Sequence, residues 1–453
     1  MVECLYSQVD NAQTALIAEN GQKISYDALD HQVKIFSKKL GQSKKLIFLK
    51  CDNTFESIIA YLVGLNNNHP LLLLEKTIDK ELMDNLLRLY QPNLIIEDLQ
   101  INELSKNEID LHPDLALLMP TSGSTGSPKF VQLSHANLIE NAKSIIKYLK
   151  ITSNDTAITS LPMYYSYGLS VINSHLFAGA SIVLNNKSII SREFWNAIKD
   201  NAVTTFSGVP YTYQILKRLK YARFDTHSIK YLTQAGGALD IDTAKYFVSE
   251  CSQRDQKFFI MYGQTEATAR ISYLPPHQFD NKPGSIGIPI PSGKITLHDK
   301  KGGVIKKPHS EGELVYHGKN VMLGYAQSQA DLVKGDVQKS VLKTGDLGYF
   351  DEDRYFYITG RKKRFIKITG SRISLNEIER YLNKKDYTVI AGGQDDTLEL
   401  AISGNQEMMS DIKAIVSTAF KINVNNIRSF CVNTFPRTSV GKIDYQKLFH
   451  RNS

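Results

Sequence analysis

The run Thr121-Ser122-Gly123-Ser124-Thr125-Gly126-Ser127-Pro128-Lys129 gathers hydroxyls, two glycines and a lysine in one short stretch. The glycines let the backbone fold back and turn its N–H groups toward an anion, the hydroxyls add donors, and Lys129 brings a cation. That is the chemistry of a loop that grips a polyphosphate. It is not a Walker A loop, because G-x-x-x-x-G-K-[ST] occurs nowhere in the chain. Taken alone, a Ser/Thr/Gly cluster between regular elements is also the composition of an ordinary loop.

Four further motifs bear on that choice. They are Gly236-Gly237-Ala238, Tyr262-Gly263-Gln264-Thr265-Glu266, the segment from Thr344-Gly345-Asp346 to Gly360-Arg361, and Pro436-Arg437-Thr438-Ser439-Val440-Gly441-Lys442-Ile443. Together with the 121–129 loop, and in this order, they resemble the adenylate-forming superfamily: acyl- and aryl-CoA ligases, adenylation domains of peptide synthetases, and luciferases. The resemblance spans nearly the whole chain.

It implies an ATP-dependent acid–thiol ligase. A carboxylic acid and ATP would give an acyl-adenylate and pyrophosphate. The pantetheine thiol of CoA or of an acyl carrier protein would then take the acyl group. Both partners in the first step are anionic, so a cation, a lysine and backbone donors are the tools it needs. By resemblance, Thr121, Ser122, Gly123, Ser124, Thr125, Gly126 and Lys129 would hold the β- and γ-phosphates. Glu266 would hold Mg²⁺, for which carboxylate oxygen is the right hard ligand. Thr265 would touch the α-phosphate, Tyr262 and Gly263 would lie at the adenine, and Gly236, Gly237 and Ala238 would form the adenine-side loop. Asp346 would accept both ribose hydroxyls, as one carboxylate can, with Arg361 beside it. Lys442 would bridge the substrate carboxylate and the α-phosphate, a task that suits an ammonium on a flexible stem. Lys363 matches the hinge, and Gly370 the channel for the incoming thiol. Without the resemblance, Glu266 and Asp346 would be solvated turn carboxylates and Lys442 a surface lysine.

These residues need elements to position them. In the first ~110 residues, Lys45 to Leu49 and Pro92 to Ile96 read as buried strands, while Phe55 to Leu65 and Lys80 to Leu89 carry helix-period apolar residues. Such alternation predicts parallel sheet layers covered by helices. Leu115 to Met119 is the strand entering the loop. After the loop, Ser134 is placed to cap a helix whose apolar face is Leu138, Ile139, Ala142, Ile145, Ile146 and Leu149. Ala180 to Leu184 and Thr204 to Pro210 read as strands leading into pocket-facing turns, with Gly208 at the pocket.

From about residue 283 helical periods give way to short strands such as Gly312 to Tyr316. The expected fold is α/β: a large N-terminal domain of layered sheets and helices, residues 1–359, with a β-rich subdomain at about 283–359. A hinge at 360–364 and a small mobile α+β domain, 365–453, follow. Ser374 and Glu377 are spaced as a capping box at a helix start there.

Composition narrows the remaining choices. With 42% hydrophobic and 22% charged residues, the chain has the make-up of a globular protein. No apolar run approaches the roughly 18 residues of a membrane span. The start lacks the basic and apolar regions of a secretory signal. Cys4, Cys51, Cys251 and Cys431 form no C-x-x-C pair, which suits free thiols in a reducing compartment and argues against zinc. The cytoplasm is the expected location. The net charge of +8 fits acidic partners such as ATP, CoA and carrier proteins. The basic run Arg361 to Arg364 is too short for a nucleic-acid face.

The acid itself is less legible. Leu161-Pro162-Met163-Tyr164-Tyr165-Ser166-Tyr167-Gly168-Leu169-Ser170 matches the family's pocket motif, yet Tyr165 stands where many members have histidine. Gly168 stands where amino-acid-activating members have aspartate. An unpaired ammonium in that pocket would cost several kcal/mol, which disfavours ordinary α-amino acids. Tyr-Gly-Gln-Thr-Glu-Ala-Thr nonetheless resembles the amino-acid-activating members more than fatty acyl ligases. The segment after 365 is short for the family, which suits either a carrier-protein acceptor or plain loop shortening. Three other readings stay open: transfer to a non-thiol acceptor, a non-catalytic nucleotide-binding scaffold, and a luciferase-like oxygenase.

Overall fold

The computed structural model describes residues 12–120, 129–362, 364–369 and 371–449. The expected loop residues Thr121, Ser122, Gly123, Ser124, Thr125 and Gly126, the hinge Lys363 and the channel Gly370 lie outside the described residues. The chain is mixed α/β and divides into two compact units. One holds residues 1–295 and 316–342; the other holds 296–315 and 343–453. The hinge expected at 360–364 falls within the second unit, which takes about half of the β-rich segment with the C-terminal residues. As a hinge it stays a proposal.

Two large sheets build the first unit. In the seven-stranded sheet, Leu71–Glu75 and Leu115–Pro120 are parallel neighbours near the centre, and their apolar runs are buried on both faces. Covering helices make such double burial possible. Thr54 caps the helix Phe55–Asn66 and Asp79 the helix Lys80–Tyr90, each accepting an N–H of the first turn. Leu115–Pro120 pairs antiparallel with Phe130–Ser134, Pro120 facing Phe130, so both ends of the glycine-rich loop are pinned in one sheet. Ser134 and Asn137 then form a reciprocal capping box that starts the helix His135–Leu149.

The nine-stranded sheet places Thr205–Gly208, Tyr231–Gln234 and Lys257–Tyr262 side by side and parallel. Gly208, the Gly236-Gly237-Ala238 turn and Tyr262-Gly263 therefore all leave one carboxyl edge, where ligands of open α/β sheets bind. The helix Ser166–Phe177 is buried from Tyr167 to Leu176. Val341–Phe350, which enters the second unit at Lys343, and Phe356–Arg361 pair antiparallel within a five-stranded sheet. Further on, Val389–Gln394, Thr397–Ser403 and Ile427–Val432 form a three-stranded sheet. The helices Leu375–Asn383 and Met408–Phe420 contribute Leu375, Ile378, Leu382, Ile412 and Val416 to the core beside it. The Ser374 hydroxyl accepts the Glu377 N–H at the first of these helices.

Candidate active site

Tyr325 joins the ends of two motifs. Its strand, Gly324–Ala326, adds to the seven-stranded sheet with Tyr325 opposite Val131. From there the hydroxyl donates to Glu266 Oε1 at 2.9 Å. The Lys129 ammonium lies 3.4 Å from the centre of the same ring, a close cation–π contact. Burial and the neighbouring carboxylate push the Tyr325 hydroxyl above its ordinary value, so it stays a donor. The cation closing the glycine-rich loop and the carboxylate of Tyr-Gly-Gln-Thr-Glu thus meet on one side chain.

The segment carrying Glu266 is a strained turn, held from several sides. Thr265–Ala267 is one turn of 3₁₀ helix, followed by Thr268 and Ala269 at φ 54° and 107°. A non-glycine residue so far into positive φ is costly and must be over-determined by its surroundings. Gly263 makes part of that possible: a Cβ there would lie 1.6 Å from the Ala269 carbonyl oxygen. Asn320 does the rest. Its side-chain amide donates to the carbonyls of Ala267 and Arg270 at 2.7 and 2.9 Å, and its backbone carbonyl accepts from the Thr268 hydroxyl at 2.6 Å. The Met322 N–H donates to the Glu266 carbonyl at 2.9 Å. Thr265 is buried, with its hydroxyl 3.1 Å from that of Ser166. Tyr262 is half-buried and its hydroxyl accepts from the Gln264 amide at 3.1 Å.

The pocket glycines have steric reasons. At Gly168 a Cβ would lie 2.3 Å from the Pro162 carbonyl oxygen, so the start of this helix admits no side chain at the place where an aspartate was sought. At Gly208 it would meet Thr212 and Tyr213 at under 3 Å. Gly236 has φ 89°, and its Cβ would collide with the hydroxyl of the buried Tyr165 at 2.5 Å, so Tyr165 packs under the Gly236 turn. Gly237 and Ala238 are exposed beyond it.

In the second unit Asp346 and Arg361 face each other across paired strands, and the Arg361 Nε donates to the buried Asp346 carboxylate at 3.1 Å. The two residues expected at the ribose are therefore neighbours. Arg437 to Ile443 closes into a tight loop. The Thr438 N–H donates to the Lys442 carbonyl at 2.8 Å, the Gly441 N–H to the Thr438 carbonyl at 2.9 Å, and the Arg437 guanidinium to the Gly441 carbonyl at 2.9 Å. The motif fixes the backbone at the base of the Lys442 side chain.

Tyr325, Asn320 and Arg270 were not singled out in the sequence, and Ser166 stood there only as a member of the 161–170 motif. Val321-Met322-Leu323-Gly324-Tyr325, an apolar run ending in Gly-Tyr, was the one local cue to the first.

These features define an α/β protein whose motif glycines gather at the carboxyl edge of parallel strands. A family model described as AMP-binding enzyme matches residues 97–326. The oxalate–CoA ligase of Arabidopsis thaliana is 30% identical over 359 residues, 75% of this chain and 68% of that protein. The 2-succinylbenzoate–CoA ligase of Bacillus licheniformis is 31% identical over 311 residues, 66% of this chain but only 62% of that protein, so the match spans less than two thirds of its length. The solved O-succinylbenzoate coenzyme A synthetase from Bacillus subtilis, in complex with ATP and magnesium ion, superposes with a TM-score of 0.78 at 24% identity, over 96% of each chain. That likeness shows the shared fold. The chain belongs to the family of AMP-binding enzymes, and its reading as an acid–thiol ligase agrees with these relatives. Among the described residues no helix is long and apolar enough to cross a membrane.

Proposed function

We propose that this protein joins a carboxylic acid to the thiol of coenzyme A through an acyl-adenylate. The observation that carries the proposal is the meeting of Lys129 and Glu266 on Tyr325, with Thr265 next in sequence to Glu266. A phosphate-gripping cation, a carboxylate for a hard metal and an α-phosphate donor are what adenylation requires at one place.

In the first step a carboxylate oxygen attacks the α-phosphorus, the bond to the β-phosphate oxygen breaks, and pyrophosphate leaves. In the second the thiol sulfur attacks the acyl carbon, the acyl–oxygen bond breaks, AMP leaves and the thiol proton passes to solvent. Lys129 and the 121–126 loop hold the β- and γ-phosphates, and Thr265 donates to the α-phosphate. Tyr262, Gly263 and the 236–238 turn flank the adenine, and Asp346 and Arg361 take the ribose. Lys442 brings its charge to the carboxylate and the α-phosphate. Tyr165, Gly168 and Gly208 shape the acid pocket. Lys363 acts as the hinge and Gly370 faces the pantetheine. Glu266 is the residue that would hold Mg²⁺, with phosphates and water completing its shell; the ion supplies neutralisation of phosphate charge. A carrier-protein pantetheine is the alternative acceptor.

Pyrophosphate release over a panel of carboxylic acids, with and without CoA, tests the proposal. Release that needs an acid and accelerates with CoA is the expected result. Release that stalls near one equivalent whatever the CoA would move the acceptor to a carrier protein or a non-thiol group. Silence across the panel would overturn the ligase reading.

A further inference from the structure

The strands Phe365–Ile368 and Ser371–Ser374 form a hairpin in which Ile368 pairs with Ser371, so residues 369 and 370 alone connect them. The favoured two-residue connections put their first residue at positive φ, a place that suits Asn, Asp or Gly. Thr369 takes it here, at φ 50°. A β-branched residue in that region is an outlier and persists only where its surroundings hold it.

What holds it comes from a second hairpin of the same unit, Val389–Gln394 with Thr397–Ser403, whose connection carries Asp395 and Asp396. The Thr369 N–H donates to Asp396 Oδ1 at 2.8 Å. The Lys367 N–H donates to Asp395 Oδ1 at 2.9 Å, and the Asp396 N–H returns a bond to the Lys367 carbonyl at 2.7 Å. The Asn426 side chain in turn donates to the Asp396 carbonyl at 2.7 Å. Hydrogen bonds from backbone N–H groups to ionised carboxylates are among the stronger ones. Below the tip, Ile366 and Ile368 are buried in the core beside the three-stranded sheet. Packing therefore fixes the base of the first hairpin, and the two aspartates fix its tip. Thr369 is exposed and adds nothing to that core, so the clamp maintains a costly backbone shape that packing does not require.

Strained residues held in this way cluster at ligand clamps and active sites. On the ligase reading, on which this inference rests, the same tip faces the pantetheine. We propose that Asp396, assisted by Asp395, is a positioning residue for transfer of the acyl group to the thiol of coenzyme A. It is not a catalytic residue, since its carboxylate is engaged by the Thr369 N–H. It acts through the 367–369 backbone, whose shape sets where the sulfur stands against the acyl carbon. A misplacement of about 1 Å at such a point costs about 100-fold in rate.

The test measures the two half-reactions separately, with the acid that the pyrophosphate-release panel selects. Adenylate formation is followed as pyrophosphate release without CoA, and thioester formation from supplied acyl-adenylate and CoA. Asp396→Ala should lower kcat/KM for CoA by about 10- to 100-fold and leave adenylate formation within about twofold of wild type. Asp396→Asn keeps an acceptor oxygen for Thr369 and should lose less. Thr369→Asn in the Asp396→Ala background should recover most of the loss, because asparagine accepts positive φ without a clamp. Equal losses of both half-reactions in a folded Asp396→Ala would make the aspartate a stability residue and overturn the inference. Thioester formation at the wild-type rate overturns it too, as does a loss that Thr369→Asn leaves unrepaired. A wild type that forms the adenylate but no thioester with CoA removes the inference and leaves adenylation standing. No acid-dependent release at all would sink the ligase reading itself.

Discussion

At the residue scale the candidate site is organised around a side chain to which the proposed reaction gives no chemistry of its own. Tyr325 uses both of its chemical faces, the hydroxyl toward Glu266 and the ring toward Lys129. Partners that orient a metal-binding carboxylate commonly matter about tenfold or more for metal affinity. Tyr325→Phe keeps the ring but removes the donor, so the Mg²⁺ concentration giving half-maximal pyrophosphate release should rise by about tenfold, with a smaller change in the KM for ATP. Tyr325→Leu, which also removes the ring, should raise both. A magnesium titration of the folded variants reads the difference, and coincident curves for wild type and Tyr325→Phe would leave Glu266 oriented by the turn alone. Glu266 and Lys129 could be singled out in the sequence because each ends a motif that carries the family resemblance. Tyr325 could not, because its partner Glu266 lies 59 positions away and no local spacing encodes that contact. The same holds for Ser166 and Thr265, 99 apart, and for Arg270 and Ser170, 100 apart.

At the scale of elements, the strands and helices with a strong period were legible, and the turns between them were not. The helix Phe55–Asn66, the helix Lys80–Tyr90 and the Ser134 cap stand close to where apolar spacing and capping chemistry put them. The turn after Tyr262 follows no such rule, since Thr268 and Ala269 take positive φ without being glycine. Its shape is imposed by the 316–323 segment, where the Tyr316 hydroxyl donates to the Asn320 Oδ1 at 2.8 Å and Asn320 in turn holds the carbonyls of Ala267 and Arg270. Asn320→Ala would leave two buried carbonyls and a buried hydroxyl without these partners, and should destabilise the first unit by about 2–4 kcal/mol. The drop should appear in urea unfolding as a lower midpoint at unchanged slope. Asn320→Asp, which keeps the shape and the acceptor but not the donors, should fare no better. If either variant matched the wild type in both midpoint and turnover, the clamp would be incidental to the turn.

At the scale of the whole molecule, the proposed reaction draws on both compact units. Lys129, Thr265 and Glu266 lie in the first, and Asp346, Arg361 and Lys442 in the second. The motif order along the chain led to the expectation that both ends take part. It could not show that strands at 296–315 and 343–361 group with the C-terminal residues, because that grouping depends on long-range pairing. The division suits a two-step reaction, since a unit that repositions between half-reactions gates the chemistry without performing it. Lys442 is the residue through which this can be read. If its ammonium serves the carboxylate and the α-phosphate only while the adenylate forms, Lys442→Ala should slow acid-dependent pyrophosphate release by about 100- to 1,000-fold, the usual worth of one preorganised electrostatic contact. Thioester formation from a supplied acyl-adenylate and CoA should stay within a few-fold of wild type. Asp346→Ala, which on the proposed reading would weaken a grip on the nucleotide common to both steps, should depress the two together. The pair of variants therefore separates a residue used in one arrangement from a residue used throughout. Equal losses of both half-reactions in a folded Lys442→Ala would mean that the lysine stays at the site through the whole cycle, and the case for a change of arrangement between the steps would fall.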